Sequence, residues 1–176
     1  EKWAAPTRVD ATGSQILPDI AAALAACQAR HGITPGQIAG IGIGVPGPVD
    51  AEGGVNRCVN LNWGVFNICQ ALEALTALPV RAGNDANVAA LGEYYDGGGQ
   101  GCRSMVMVTF GTGVGGGIIL DGKILNGAHG VGGEIGHIVV NRDEPVACTC
   151  GKRGCVEQYA SAPGICRAAQ QALAAT

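Results

Sequence analysis

Three cysteines and one histidine crowd a short stretch of the sequence. Gly133-Glu134-Ile135-Gly136-His137 is followed by Cys148, Cys150 and Cys155 within Cys148-Thr149-Cys150-Gly151-Lys152-Arg153-Gly154-Cys155. One imidazole and three thiolates make the soft, four-donor set that tetrahedral structural zinc takes. The Cys-x-Cys spacing turns two thiolates toward one centre, and Gly151 and Gly154 let the chain curl until Cys155 arrives. A disulfide and three free thiols are the competing readings; a Cys-x-Cys disulfide is strained, which favours zinc. Two carboxylates flank the set, Glu134 ahead of His137 and Glu157 just past Cys155. Held rigid by a metal knot, each can accept hydrogen bonds from two hydroxyls, as a polyhydroxylated ligand requires. Without the knot both would be ordinary solvated loop acids.

Three further segments carry chemistry-bearing types. Asn84-Asp85-Ala86-Asn87 sits where a strand hands over to a helix. Asn and Asp there serve as N-caps and complement the helix dipole, or Asp85 is a general base at the carboxyl end of a strand, where α/β folds place ligands. Thr109-Phe110-Gly111-Thr112-Gly113-Val114-Gly115-Gly116-Gly117 follows an apolar strand and leads into another. Its backbone N–H groups and the Thr112 hydroxyl could cradle phosphate oxygens. An ordinary glycine hairpin is the alternative, although five glycines in residues 111–117 exceed the needs of a two-residue turn. Gly42, Gly44 and Gly47 satisfy a dinucleotide-binding spacing, but Pro46 and Pro48 bar the helix that this motif needs next. A rigid strand-end loop whose backbone approaches a ligand, or a plain turn, fits better.

Stepping outward, the elements that position these residues alternate. Ser14 is the expected N-cap of a helix carrying Ile16, Leu17, Ile20, Leu24 and Cys27 on one stripe and ending at Gly32. A strand is expected over residues 38–45, a short helix after Asn67, a strand over 78–81, and a helix from Asn84 whose apolar stripe is Val88, Leu91 and Tyr95. The glycine run at 97–101 is the expected boundary. Beyond it come strands at 104–110 and 117–120, with Asp121-Gly122 turning the last into Lys123-Ile124-Leu125. This predicts an α/β protein of two lobes, residues 1–98 and 99–176.

Composition narrows the function classes. The 176 residues include 30 glycines but no G-X-Y period, and with 47% hydrophobic residues neither collagen nor a disordered linker fits. A net charge of −3 without Lys/Arg clusters argues against a nucleic-acid groove or a polybasic membrane surface. The most apolar stretch, 104–120, is too short for a bilayer. A small-molecule ligand and a cytoplasmic setting are expected. Cys27, Cys58, Cys69, Cys102 and Cys166 are expected to be small buried hydrophobes. The opening Glu1-Lys2-Trp3 and the ending inside a helical pattern read as an excised piece.

Taken together, Gly44-Val45-Pro46-Gly47-Pro48-Val49-Asp50, Asn84-Asp85-Ala86-Asn87, Gly111-Thr112-Gly113, Gly133-Glu134-Ile135-Gly136-His137 and the cysteine motif ending at Glu157 resemble the ROK family of sugar kinases and sugar-responsive repressors, its bacterial glucokinases above all. The resemblance implies an actin-like, hexokinase-type (ribonuclease H-like) α/β fold, incomplete at both ends, since the family's opening Asp-x-Gly-Gly-Thr phosphate loop and its later adenosine segment are not matched here. It implies Asp85 as the base that deprotonates a hexose hydroxyl, with Gly47, Asn84, Glu134, His137 and Glu157 holding the sugar. Gly111, Thr112 and Gly113 would line the phosphates of ATP. Zinc would be structural on His137, Cys148, Cys150 and Cys155, and Mg²⁺ would accompany ATP. The implied parent phosphorylates a hexose, glucose first, as a cytoplasmic homodimer with neither membrane nor nucleic-acid partner, whereas the piece alone is inactive. A repressor of the same family with an upstream DNA-binding head, and a zinc-stabilised interaction domain, are the alternatives.

Overall fold

Asp10 organises the entry to the first helix. Its carboxylate accepts hydrogen bonds from the Thr12 N–H at 2.9 Å, the Ser14 N–H at 3.1 Å and the Ser14 hydroxyl at 3.0 Å. Ser14 therefore spends its hydroxyl on Asp10, and Gln15 stands at the N-cap of α1 (Ile16–His31) with no side-chain cap bond, which corrects the expected Ser14 cap. Gly32 closes α1 in the left-handed region with φ 63°, a conformation glycine adopts without strain. These positions come from a computed structural model that describes residues 2–56 and 58–174. The chain divides into two compact units, Glu1–Asp85 and Ala86–Thr176.

In the first unit, β1 (Ile41–Val45) is followed by β2 (Gly54–Val55), β3 (Phe66–Asn67), α2 (Ile68–Thr76) and β4 (Val80–Asn84). The strand expected at 38–45 begins only at Ile41, because its ladder partner β4 starts at Val80, just past Pro79. Asn67 caps α2, its side-chain oxygen accepting the Gln70 N–H at 2.9 Å. β4 begins past Pro79, which has no N–H for the ladder, and runs to Asn84 rather than ending at 81. β1 and β4 pair in parallel, Ile41 opposite Val80 and Val45 opposite Asn84, with β2 and β3 as a separate antiparallel pair. The core gathers Ile16, Leu17, Val45, Val55, Trp63 and Ile68. Trp63 meets Phe66 edge to face at 5.3 Å and donates its indole N–H to the Gly13 carbonyl at 2.9 Å, which joins the Asp10 turn to the core.

α3 (Asp85–Asp96) leads into the second unit, where β5 (Met105–Phe110), β6 (Val114–Leu120) and β7 (Lys123–Ile124) form an antiparallel sheet in that order. The expected Asp121-Gly122 turn is present with φ 49° and 76°, both positive as a two-residue hairpin turn needs. The expected apolar stripe of α3 is not what packs. Val88 and Tyr95 are exposed, whereas Asn87 and Ala90 are buried. The cause lies in β6: a Cβ on Gly117 would collide with the Ala90 methyl, one on Gly115 would sit 3.3 Å from the Ala86 methyl, and one on Gly116 would sit 2.5 Å from Ile135 on the other face. A helix seated this close to a strand does so through alanines and glycines, and bulky residues are turned out. The glycine run at 97–101 lies within the second unit and ends α3, where the Gly97 and Gly99 N–H groups return to the Glu93 carbonyl. Two short helices, α4 (Glu157–Ala160) and α5 (Ala162–Ala174), complete the unit. Of the five scattered cysteines only Cys58 is buried; Cys27 and Cys69 are half-buried, and Cys102 and Cys166 are exposed, which corrects the expectation for those two.

Candidate functional site

In the first unit the parallel register places the ends of β1 and β4 side by side. The chain leaves β1 through Pro46-Gly47-Pro48 and leaves β4 at Asn84, whose side-chain amide donates to the Gly47 carbonyl at 3.3 Å. Asp85 follows as the first residue of α3 and is exposed. Its carboxylate is near the buried Cys58, whose thiol donates to the Pro46 carbonyl at 2.9 Å. Burial raises the Cys58 pKa against the Leu61 and Asn60 N–H groups, and the charge of Asp85 adds to the rise. Gly47, Asn84 and Asp85 thus converge at the carboxyl end of a parallel strand pair, the place where such sheets leave room for a ligand. The position also suits an acid in a helix's first turn, so the dipole and any base chemistry use the same residue.

In the second unit a 3₁₀ turn, Ile135–His137, presents His137. The preceding Gly133 has φ 87°, and a Cβ there would sit 2.6 Å from the Gly116 carbonyl oxygen, so this corner is docked tightly on β6. His137 Nδ1 lies 3.7 Å from Cys148 Sγ, Cys150 Sγ lies 3.6 Å from Cys155 Sγ, and the four ligand atoms all lie within 4.8 Å of one another. A tetrahedral zinc–thiolate site with bonds of about 2.3 Å has ligand–ligand edges of about 3.8 Å. Gly151 and Gly154 bend the chain with φ 85° and 71°, and any side chain at 154 would strike the Asn141 carbonyl.

The charges of the cluster point the same way. Burial opposes ionisation of Cys148, but hydrogen bonds from the Cys150 N–H, the Thr149 hydroxyl and the neighbouring thiols bring its pKa down to about 7. Cys155, fully buried, is pushed up to about 12 by burial and by the sulfurs beside it. Crowded thiolates cannot all ionise without a cation between them, so the donor set fits a divalent metal. The outward ring nitrogen of His137, Nε2, lies 4.0 Å from Glu134 Oε2, so the ring presents Nδ1 to the sulfurs and Nε2 to the flanking carboxylate.

Glu157 connects this cluster to the glycine hairpin. Its Oε2 accepts the Val114 N–H at 3.0 Å, and its Oε1 accepts the Thr149 hydroxyl at 3.4 Å. The Gly111 carbonyl accepts the Ala162 N–H at 2.8 Å. The hairpin's glycines therefore separate into two groups. Gly115, Gly116 and Gly117 are occupied by packing, which accounts for the glycines beyond what a two-residue turn needs. Gly111, Thr112 and Gly113 remain at the turn, with Gly111 and Thr112 exposed.

One further cluster has no signature in the local sequence. Glu144, 8% exposed, accepts the Tyr159 hydroxyl at 2.5 Å and two Arg167 N–H groups at 3.4 Å, while Asn141 donates to the same Tyr159 oxygen at 2.9 Å. The Tyr159 hydroxyl, more than the nearby guanidinium of Arg167, holds the Glu144 carboxyl below the usual range. These bonds tie the loop that leads into Cys148 to α4 and α5. Its members are far apart in the chain and follow no period, so no local pattern announces it.

The sequence pattern of the ROK family matches residues 3–176. The chain belongs to the ROK family. It is 44% identical over 174 residues to a glucokinase of Halalkalibacterium halodurans, covering 98% of this chain and 53% of that protein. Over 129 residues it is 41% identical to a xylose repressor of Caldicellulosiruptor bescii, covering 73% of this chain and 32% of the repressor. The crystal structure of a ROK family glucokinase from Streptomyces griseus in complex with glucose and AMPPNP superposes with a TM-score of 0.77 at 40% identity, covering 96% of this chain and 52% of that one. The fold is therefore the actin-like, hexokinase-type α/β fold, and the chain spans about half the length of the relatives it matches. No helix among the described residues is long and apolar enough to cross a membrane.

Proposed function

We propose that the full-length protein is an ATP-dependent hexose kinase that converts glucose to glucose 6-phosphate. The observation that carries this reading is the double orientation of His137, Nδ1 toward the cysteines and Nε2 toward Glu134, in an array that also fixes Glu157 against the glycine turn. Sugar hydroxyls need fixed acceptors and donors in a plane, and a metal knot can supply that rigidity. His137, Cys148, Cys150 and Cys155 would hold zinc, whose four protein ligands leave no open position, so the ion is structural. Glu134, His137, Glu157, Asn84 and the Gly47 backbone hold the sugar hydroxyls.

Asp85 takes the proton of the 6-hydroxyl as that oxygen attacks the γ-phosphorus of ATP. The new O–P bond forms as the bond to the β–γ bridging oxygen breaks, and ADP leaves. Gly111, Thr112 and Gly113 line the phosphates, and Mg²⁺ accompanies ATP as in phosphoryl transfer generally. Lobes at 1–98 and 99–176, a homodimer, a cytoplasmic setting and the absence of a nucleic-acid partner belong to this reading. The 176-residue chain alone is expected to be inactive. The similarity to a xylose repressor keeps a sugar-sensing regulator as the second reading; Asp85 and the Gly111-Thr112-Gly113 turn favour the kinase. The deciding experiment is a coupled assay of the full-length protein with ATP and a panel of glucose, fructose, N-acetylmannosamine and N-acetylglucosamine. Glucose phosphorylation is expected; sugar binding without phosphoryl transfer, together with a helix-turn-helix ahead of residue 1, would favour the regulator.

A further inference from the structure

We infer that Glu157 couples hexose binding to nucleotide binding, because the same carboxylate that serves the sugar also fixes the 111–114 turn. The inference rests on the kinase reading above and goes beyond it by making Glu157 a positioning residue for the phosphate side. Oε2 of Glu157 accepts the Val114 N–H at 3.0 Å, and Oε1 accepts only the longer 3.4 Å bond from Thr149. The turn is braced a second time from the same short segment, by the Ala162 N–H on the Gly111 carbonyl at 2.8 Å. Residues 157–162 thus hold both ends of the turn.

The space at Gly113 belongs to the same seat. The φ of Gly113 is not in the left-handed region, so the backbone does not demand glycine there. A Cβ would instead fall 2.5 Å from Glu157 Oε2 and 3.4 Å from its carboxyl carbon. Gly111, on the same turn, has open space where its Cβ would be. A side chain at 113 would therefore move the carboxylate from the Val114 N–H.

A hexose hydroxyl donating to Glu157 restricts the carboxylate to the rotamer that holds the Val114 N–H. The turn is then already ordered when nucleotide arrives, and the second ligand loses less conformational freedom. The coupling is positive and reciprocal by linkage.

Calorimetry on the full-length protein tests this, with glucose and AMPPNP titrated separately and each in the presence of the other. In the wild type, glucose is expected to tighten AMPPNP binding about fivefold or more, with an equal effect in reverse. Gly113→Ala displaces the carboxylate and is expected to weaken glucose binding about tenfold, the scale of a lost charge-assisted hydrogen bond, and to bring the coupling factor close to one. Ala162→Pro removes the N–H bonded to Gly111 and sets a ring carbon against that carbonyl, 2.8 Å from the nitrogen, so the brace on the turn is lost. Proline is accepted at the first helical position, and Ser161 before it is already extended at ψ 161°, so the fold is expected to survive. That variant should keep glucose affinity and lower the coupling factor. A wild-type coupling factor in Gly113→Ala at an unchanged melting temperature, or in Ala162→Pro, overturns the inference. If glucose binds but the wild type shows no coupling, only the inference fails; if neither glucose nor AMPPNP binds, the kinase reading fails with it.

Discussion

Asp85 and Cys150 illustrate two ways in which one side chain can matter here. Asp85 is exposed at the start of α3. Asp85→Asn in the full-length protein is expected to lower kcat roughly 10²- to 10⁴-fold, the range of a lost general base, with little change in the KM for glucose or in melting temperature. Steady-state kinetics and a thermal melt check this together; a melting temperature that falls in step with kcat would make Asp85 a helix-capping residue. Cys150 sits 3.6 Å from the buried Cys155. On the proposed reading, Cys150→Ser should abolish zinc binding, weaken glucose binding and lower the melting temperature at once, because the candidate ligands and the proposed sugar contacts lie in one stretch of chain. Elemental analysis of the wild type is expected to give close to one zinc per chain, and a value near zero would remove the knot from the account. Cys150 is legible in the sequence because its chemistry depends on type and short spacing, whereas type and spacing alone favour a helix cap at Asp85 and its role as base comes from the family resemblance. The Glu144–Tyr159–Arg167 cluster is not, because its partners are brought together only by the return of α4 and α5.

At the scale of elements, local rules and packing part company. The Asn67 cap, the Gly32 terminus and the Asp121-Gly122 turn follow from propensity alone, and the structure has all three. The face of α3 does not, because the strand it meets presents Gly115 and Gly117 to Ala86 and Ala90. Gly117→Val is expected to push α3 off β6 and to destabilise the second unit by about 1–3 kcal/mol or more, the cost of an overpacked contact. Denaturant titration would reveal it; unchanged stability would mean the helix is not seated as described. The Asp10 turn makes a different prediction. Hydrogen bonds from the Thr12 N–H and Ser14 hydroxyl lower the Asp10 pKa to about 2. The unfolded carboxyl titrates near 3.9, so the turn's contribution is complete above about pH 4 and fades as pH falls toward 2. Asp10→Asn should flatten that part of the acid-denaturation profile, measured as melting temperature against pH; parallel profiles for the two proteins would assign the acid sensitivity elsewhere.

For the whole molecule, family membership follows from motifs spread along nearly the full chain, and the matched residues run from 3 to 176. What the sequence determined by itself is the donor set, the acids beside it, the glycine turn and the alternation of helices and strands. Each depends on residue type at short range, where backbone geometry leaves few choices. The tertiary structure decided which glycines are empty because something else fills their space. It assigned Gly115, Gly116 and Gly117 to packing and Gly113 to the Glu157 carboxylate, a division that no spacing rule contains. It also decided which nitrogen of His137 faces the sulfurs. The physical reason is common to both: a glycine or an imidazole is ambiguous in one dimension, and only the neighbours that long-range folding delivers remove the ambiguity.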